Sequence, residues 1–515
     1  MFYVIEENRI DFLKERLNEL DLIGLTGSTT FTTECPLILL EGKEAEVKEE
    51  DIALIVNNGK PDHFLLAICR KGSGINENLK VGSYSPGIAY VRSKGEPPSR
   101  AKESYHFTLP FIGKLTQNGL ETNDTIVSPG SRVYLFKRER KSHNPLDLIK
   151  PAEHVWGGYL ATSEGNWPIP FNKKFIPYHI GVFGATGSGK SMLARHLLIP
   201  LLKAAGYGVL VFDWEGVDYA PYFKEQCTSI VDFKFDAFTI AEYIVRMADI
   251  FGYNREEAPV PSSVIHVITR EVGEHQRWWD SLGDLNNGDE LRSRLRQEAI
   301  NALSRRPRWN DYGQLWTFKL DSGLAKISDE DWNLLLALSR GSLIDKFPLP
   351  TPGKICVIDL SEVSDELKLA FFSKLCSKII SMMRTAYQRK LNLALIIDEA
   401  PQYCPFEPKG LQTKTTEYIK NLCALGRKRG LCIVLLSQGM AGEIGINAAV
   451  RRNLNTLFIG QIHPLDLEEV SKRLSPFGIR PEELLSLDPG KFYLTGKMNP
   501  SPIPLLISFK IDGGE

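Results

Sequence analysis

Three short runs contain residues whose types and spacing suit phosphate chemistry. The first is GATGSGKS, Gly184 to Ser191, which fits the pattern GxxxxGK[ST]. Its glycines let backbone N–H groups wrap a phosphate, and a helix beginning at its end adds a favourable dipole. The phosphate-binding set read from it is Gly184, Ala185, Thr186, Gly187, Ser188, Gly189, Lys190, Ser191 and Met192. Lys190 would reach the β- and γ-phosphates of ATP, and the Ser191 hydroxyl would bind Mg²⁺. At this glycine content a chance match has a probability of about 0.02 before context is considered.

The second run is LALIIDEA, which places Asp398 and Glu399 at the end of an apolar stretch. Two acids there are costly as plain packing. Asp398 suits the Mg²⁺ shell, and Glu399 suits polarisation of the water that attacks a γ-phosphate. A glutamate beside the aspartate points to a motor-type ATPase rather than a GTPase switch. The third run is LCIVLLSQ, where Gln438 at a strand tip can touch both γ-phosphate and water. Between them, GRKRG carries Arg427, Lys428 and Arg429. Arg427, and after it Arg429, are candidates for a finger that reaches a neighbouring subunit's γ-phosphate; the plain alternative is a basic helix C-terminus. Asp213 and Glu215, in VFDWEGVDYA, either order the Mg²⁺ shell or shape a turn.

These residues need elements to hold them. The runs HIGVFG, GVLVFD, KICVIDL, LALIIDE, LCIVLLS and NTLFIG are almost wholly apolar, as strands buried on both faces are. Helical stretches between several of them imply βαβ crossovers, hence an α/β core with a mainly parallel sheet. The phosphate loop then joins HIGVFG to a helix over Met192–Leu202. Upstream, to residue 168, short apolar stretches such as His63–Cys69, Ile88–Val91 and Arg132–Phe136 read as strands of a small β-barrel or sandwich. A helix is expected near Asp11–Leu20. Residues 236–349 read as a helical insertion, with helices at Ala241–Phe251, Asp289–Ser304 and Asp329–Ser339, the last begun by a Ser328/Asp331 capping box. The expected division is 1–168, 169–235 and 350–498 for the two parts of the core, 236–349 for the insertion, and 499–515 for a tail.

Composition narrows the function classes. The 515 residues are 43% apolar and 24% charged, which excludes wholesale disorder. Lys and Arg number 62 against 63 Asp and Glu, so the chain is no bulk polycation. Nucleic acid would have to meet a local patch or a surface shared by several copies. Candidates are Lys137–Lys141, Arg292–Arg296, Arg305–Trp309, and Arg451 with Arg452, each alone more often a solvated face. No apolar run reaches the ~20 residues of a membrane span. The first residues lack the apolar stretch of a secretory signal. The eight cysteines show no zinc spacing and read as free thiols, so a cytoplasmic location and no membrane are expected.

The ordered set YHIGVFGATGSGKS, VFDWEG, LIIDEA, LGRKRG, LLSQ and LLSLDPGKFYLTGKMNPSPIPLLISF resembles the HerA branch of the HerA–FtsK ATPases over residues 155–510. The resemblance implies a RecA-like core, an N-terminal barrel like that of ATP-synthase subunits, and a homohexameric ring that threads double-stranded DNA. It also implies ATP between subunits, a NurA-like nuclease partner, and a tail that clasps the neighbour. Lys190, Ser191, Asp398, Glu399 and Gln438 map onto the family's ATPase positions, and Arg427 onto its arginine-bearing helix. The chain departs from the family pattern in three places. PQYCP follows DEA, DWEGVDY stands where DPHGEY is usual, and GMAGEIG stands where RPS often follows the glutamine.

The expectation is therefore an ATP-driven hexameric double-stranded DNA translocase or helicase in DNA processing or repair. Two rivals are a secretion- or pilus-type ATPase that moves protein, and a nucleotide-gated ring that scaffolds a nuclease or defence effector.

Overall fold

A computed structural model describes residues 9–60, 62–80, 86–95, 103–117, 119–252, 254–274, 276–385 and 390–511. The first eight residues of the expected N-terminal domain and the last four of the expected tail lie outside them.

The N-terminal apolar runs close into a barrel. Around it run the strands Glu34–Leu39, Asp21–Thr26, Arg132–Leu135, Ile52–Val56, Phe64–Ile68 and Glu103–Thr116, each antiparallel to the next, and the last returns to the first. Arg70–Asn76 and Gly119–Glu121 attach to the long strand. IALIV and FLLAI are unbroken apolar runs for a reason. Ala53, Ile55, Leu65 and Ala67 fill the barrel, while Ile52, Leu54, Phe64, Leu66 and Ile68 face outward into the second domain's core. Strands buried on both faces cannot alternate. The expected N-terminal helix is present over Arg9–Arg16. Ile88–Val91, expected as a strand, lies in the helix Pro86–Lys94.

The second domain is built on one ten-stranded sheet. Seven strands are parallel, in the order Thr456–Ile459, Ile180–Phe183, Leu431–Ser437, Leu393–Ile397, Gly208–Asp213, Ile355–Asp359 and Cys227–Ser229. Three antiparallel strands, Phe492–Thr495, Leu505–Ser508 and Tyr159–Leu160, extend the Thr456–Ile459 edge. The sheet is therefore mixed, which limits the expectation of a mainly parallel one. Crossovers supply the parallel part, and the C-terminal meander needs none.

Within the expected tail, Leu505 and Ile507 are fully buried in this chain's own sheet, beside Phe492–Thr495. Tyr159–Leu160 belongs to the same sheet, so sheet residues begin upstream of 169.

The insertion contributes the helices Ala237–Met247, Pro259–Thr269, Gly288–Ser304, Trp309–Leu324 and Asp329–Arg340. Trp278, Trp279, Trp316 and Trp332 are buried where these helices meet one face of the sheet. Only half of the expected capping box forms. Ser328 Oγ accepts from the Asp331 N–H at 3.1 Å, while the Asp331 carboxylate accepts from the Ser328 hydroxyl at 2.6 Å. Among the described residues no helix is long and apolar enough to cross a membrane.

Candidate functional site

Parallel strands bring their carboxyl ends to one edge, and the loops leaving that edge carry the chemistry. The phosphate loop leaves the central strand Ile180–Phe183 and enters a helix that starts at Lys190. Gly187 (φ +81°) and Gly189 (φ +93°) take left-handed backbone that side chains disfavour. A Cβ on Gly184 would stand 2.5 Å from Ser188 Oγ. The loop is also covered from the C-terminal segment, where the Gly490 N–H donates to Ser188 O at 3.0 Å.

Lys190 is buried and donates to Ala185 O at 3.2 Å; burial lowers its pKa, and Asp398 and Glu399 oppose that shift. The next two strands of the sheet, Leu431–Ser437 and Leu393–Ile397, complete the set. Asp398 and Glu399 follow Leu393–Ile397, and Gln438 follows Leu431–Ser437. Ser191 Oγ donates to Asp398 Oδ2 at 3.2 Å, and the Glu399 N–H donates to Asp398 Oδ1 at 2.8 Å. Burial pushes the Asp398 carboxyl up to about 6, aided by the nearby charges of Asp218 and Glu399 and opposed by the Glu399 N–H.

A side-chain chain links the loop to the acids. Thr186 Oγ1 donates to Gln438 Oε1 at 3.1 Å, and Gln438 Nε2 donates to Glu399 Oε1 at 3.0 Å. Glu399 itself has φ +46°, a strained backbone for a non-glycine residue. That conformation begins the short helix Ala400–Tyr403.

The arrangement fits a nucleoside triphosphate with a divalent cation. The Ser188 hydroxyl is buried in the loop with no hydrogen-bond partner, and a phosphate oxygen would supply one. Ser191 Oγ and Asp398 are oxygen donors already adjacent, as a hard cation requires. Among the described residues no group of three or more His, Cys, Asp or Glu side chains could hold a metal alone, so phosphate oxygens and water would complete the shell.

Other expected residues are placed differently. Asp213 is a turn residue, because its carboxylate accepts from the N–H groups of Gly216 (3.1 Å), Tyr219 (2.8 Å) and Ala220 (2.9 Å). Glu215 is exposed. Arg427 is not in this chain's own site. It is exposed, with its guanidinium 5.2 Å from the Tyr178 ring centroid, at the opposite end of the strand that feeds the phosphate loop. Arg429 closes the same helix, Leu411–Arg429.

Several basic candidates have internal partners. Arg451 donates to Met440 O just past Gln438, Arg138 pairs with Asp51, Arg294 with Asp284 at 2.9 Å, and Arg296 with Asp321 at 2.5 Å. Arg305, Arg306 and Arg452 are exposed.

The sequence reading missed three contributors. Asp218 adds negative charge beside Lys190 and Asp398. The Tyr219 hydroxyl is buried near Asp398, close enough to favour its ionised form, though without full hydrogen-bond geometry. Asp466 accepts from the N–H groups of Met440 and Ala441 at 3.0 and 3.2 Å, and so fixes the turn after Gln438. The string VDY was visible next to Asp213; nothing in the sequence links Asp466 to Gln438.

Comparison with curated proteins finds no match. Among solved structures the chain is similar to VirB4 of Thermoanaerobacter pseudethanolicus, with 13% identity, 70% of this chain and 98% of that chain covered, and a TM-score of 0.44. It is also similar to the bacterial conjugative coupling protein TrwB, with 15% identity, 74% and 95% covered, and a TM-score of 0.41. A third is the genome packaging NTPase B204 from Sulfolobus turreted icosahedral virus 2, solved with ATPγS, with 15% identity, 65% and 99% covered, and a TM-score of 0.31. The family model of the helicase HerA central domain matches residues 157–379, from the antiparallel sheet edge through the phosphate loop and the insertion. Residues 157–379 of this chain are therefore similar to the HerA central domain.

Proposed function

We propose that the protein is an ATP-driven, ring-forming translocase of double-stranded DNA. The observation that supports the ATPase part is the continuous link Thr186–Gln438–Glu399, which ties the phosphate loop to the acid that in this reading activates water. The match to the HerA central domain supports DNA as the substrate.

In this reading Lys190 leaves the Ala185 carbonyl for the β- and γ-phosphates and balances their charge. Ser191 and Asp398 would hold Mg²⁺, which when bound would supply positive charge to offset that building on the phosphates. Water attacks the γ-phosphorus, its proton passes to Glu399, and the bond to the ADP oxygen breaks. Gln438 holds the Glu399 carboxylate and senses the γ-phosphate through the same amide. Arg427 lies far from its own chain's phosphates, so as a finger it acts on a neighbour's, which is the arrangement a homohexamer with interfacial ATP sites provides. A nuclease of the NurA kind is the proposed partner, and the cytoplasm the proposed location.

The test is ATP hydrolysis by the purified protein without nucleic acid, with single strands and with blunt duplex, beside Glu399→Gln. Duplex stimulation that the variant lacks is the expected result. Hydrolysis indifferent to every nucleic acid would instead favour a protein-moving or scaffolding ring. Equal rates in both proteins would remove Glu399 from catalysis.

A further inference from the structure

We propose that Tyr222, backed by Arg195, is the stacking platform for the nucleobase of the bound nucleotide; this rests on the nucleotide reading above. The polyphosphate lies along Gly187–Ser191, so the nucleoside leaves the loop past Met192. On a helix the positions three and four further on share its face, and here they are Arg195 and His196. The helix widens there, since Ala194–Leu198 is a π-turn, a deviation frequent at functional sites.

Arg195 is placed unusually for a structural arginine. Its Nε and Nη1 are buried and have no hydrogen-bond partner, and among the described residues no carboxylate pairs with it. Its contact is the Tyr222 ring, whose centroid lies 3.7 Å from the guanidinium carbon. Buried guanidinium N–H groups without an acceptor are costly, and the phosphates and ribose of a nucleotide would bring acceptors. Tyr222 has one face braced by the guanidinium and remains 63% exposed, so it offers a fixed aromatic surface at the loop's exit.

The tail bounds the same region on its other side. Phe509 stacks on His196 with ring centroids 6.4 Å apart and planes 5° apart, and its ring edge lies close to Gly490, which covers the loop. Stacking tolerates any base but favours the larger purines, so ATP and GTP are expected to bind alike and better than CTP or UTP.

The experiment is equilibrium titration of the full chain with the β,γ-imido analogue of ATP and, separately, with inorganic tripolyphosphate. Tyr222→Ala is expected to weaken the analogue by about tenfold while leaving tripolyphosphate unchanged. Tyr222→Phe and Tyr222→Trp are expected to restore the affinity. Tyr222 is largely exposed, so the change should not disturb folding. Tripolyphosphate binding with no loss of analogue affinity in Tyr222→Ala overturns the platform alone. Failure of the unaltered protein to bind either ligand overturns the nucleotide reading and the platform with it.

Discussion

Glu399 and Gln438 illustrate how a residue's role depends on what fixes its geometry. A strained backbone aims Glu399, and one amide holds its carboxylate while accepting from Thr186. Glu399→Gln should lower kcat by about 10²–10⁴-fold and spare nucleotide binding, read by single-turnover hydrolysis beside equilibrium titration. Gln438→Ala should lower kcat by a smaller factor, about tenfold, with little change in Kd. His179 is a structural counterpart, buried at the start of the phosphate-loop strand. Its Nε2–H donates to Cys423 O at 2.9 Å and its Nδ1 accepts from the Ile433 N–H at 3.2 Å, so the neutral ring is the one that fits. Burial lowers its pKa to about 4, with the Arg427 charge acting in the same direction. The unfolded chain takes up this proton near pH 6.5, well before the folded one does. Stability from this site is full above about pH 6.5 and falls as pH drops towards 4, by up to about 3 kcal/mol. Unfolding midpoints of the protein and of His179→Gln across that range should diverge at neutral pH and converge towards pH 4.

At the scale of elements, the turn after Gln438 is held from both inside and outside its own strand. Asp466 accepts from two of its N–H groups, Arg451 donates to Met440 O, and Ser437 Oγ donates to Gly439 O at 2.6 Å. Asp466→Ala leaves two donors unpaired, one buried and one part-buried. It is expected to cost about 1–3 kcal/mol in thermal unfolding and to lower kcat as Gln438 loses its position. Two departures from the family pattern are also neighbours in space. Trp214 of DWEG packs edge-on against Tyr403 of PQYCP, with centroids 5.0 Å apart, and Lys368 Nζ donates to Trp214 O at 3.1 Å. Their separate appearances in the sequence are one packing solution beneath the acidic strand end.

At the scale of the molecule, the barrel is bolted to the core through a buried ion pair. Arg70 Nε and Nη2 donate to both Glu50 oxygens at 2.8 and 2.9 Å, and its remaining donors reach Phe477 O at 2.6 Å and Pro504 O at 2.7 Å. Burial raises the Glu50 pKa and Arg70 opposes the rise, so the pair is stable only as a pair. Arg70→Met strands the carboxylate and is expected to destabilise the protein by about 3–5 kcal/mol, measured by urea unfolding. Adding Glu50→Gln should recover part of that loss. In sequence, the segments held by Arg70 lie on either side of the Gly490 turn that covers the phosphate loop.

The sequence alone determined the motifs whose signal is local. A glycine-rich loop needs positive φ at fixed positions, acids at a strand end are costly without a task, and strands buried on both faces read as apolar runs. Hence Gly184–Ser191, Asp398, Glu399, Gln438 and the parallel strands were all legible. Tertiary structure decided what depends on distant chain. It gave Asp213 to a turn, moved Arg427 to the far end of the strand that feeds the phosphate loop, folded Leu505–Ser508 into its own sheet, and turned Ile88–Val91 into a helix. It also brought Tyr219 to Asp398 and Asp466 to the Gln438 turn. Such contacts join residues tens to hundreds of positions apart, and no local period encodes them, because the hydrogen bonds and buried area that select them exist only once the sheet has assembled.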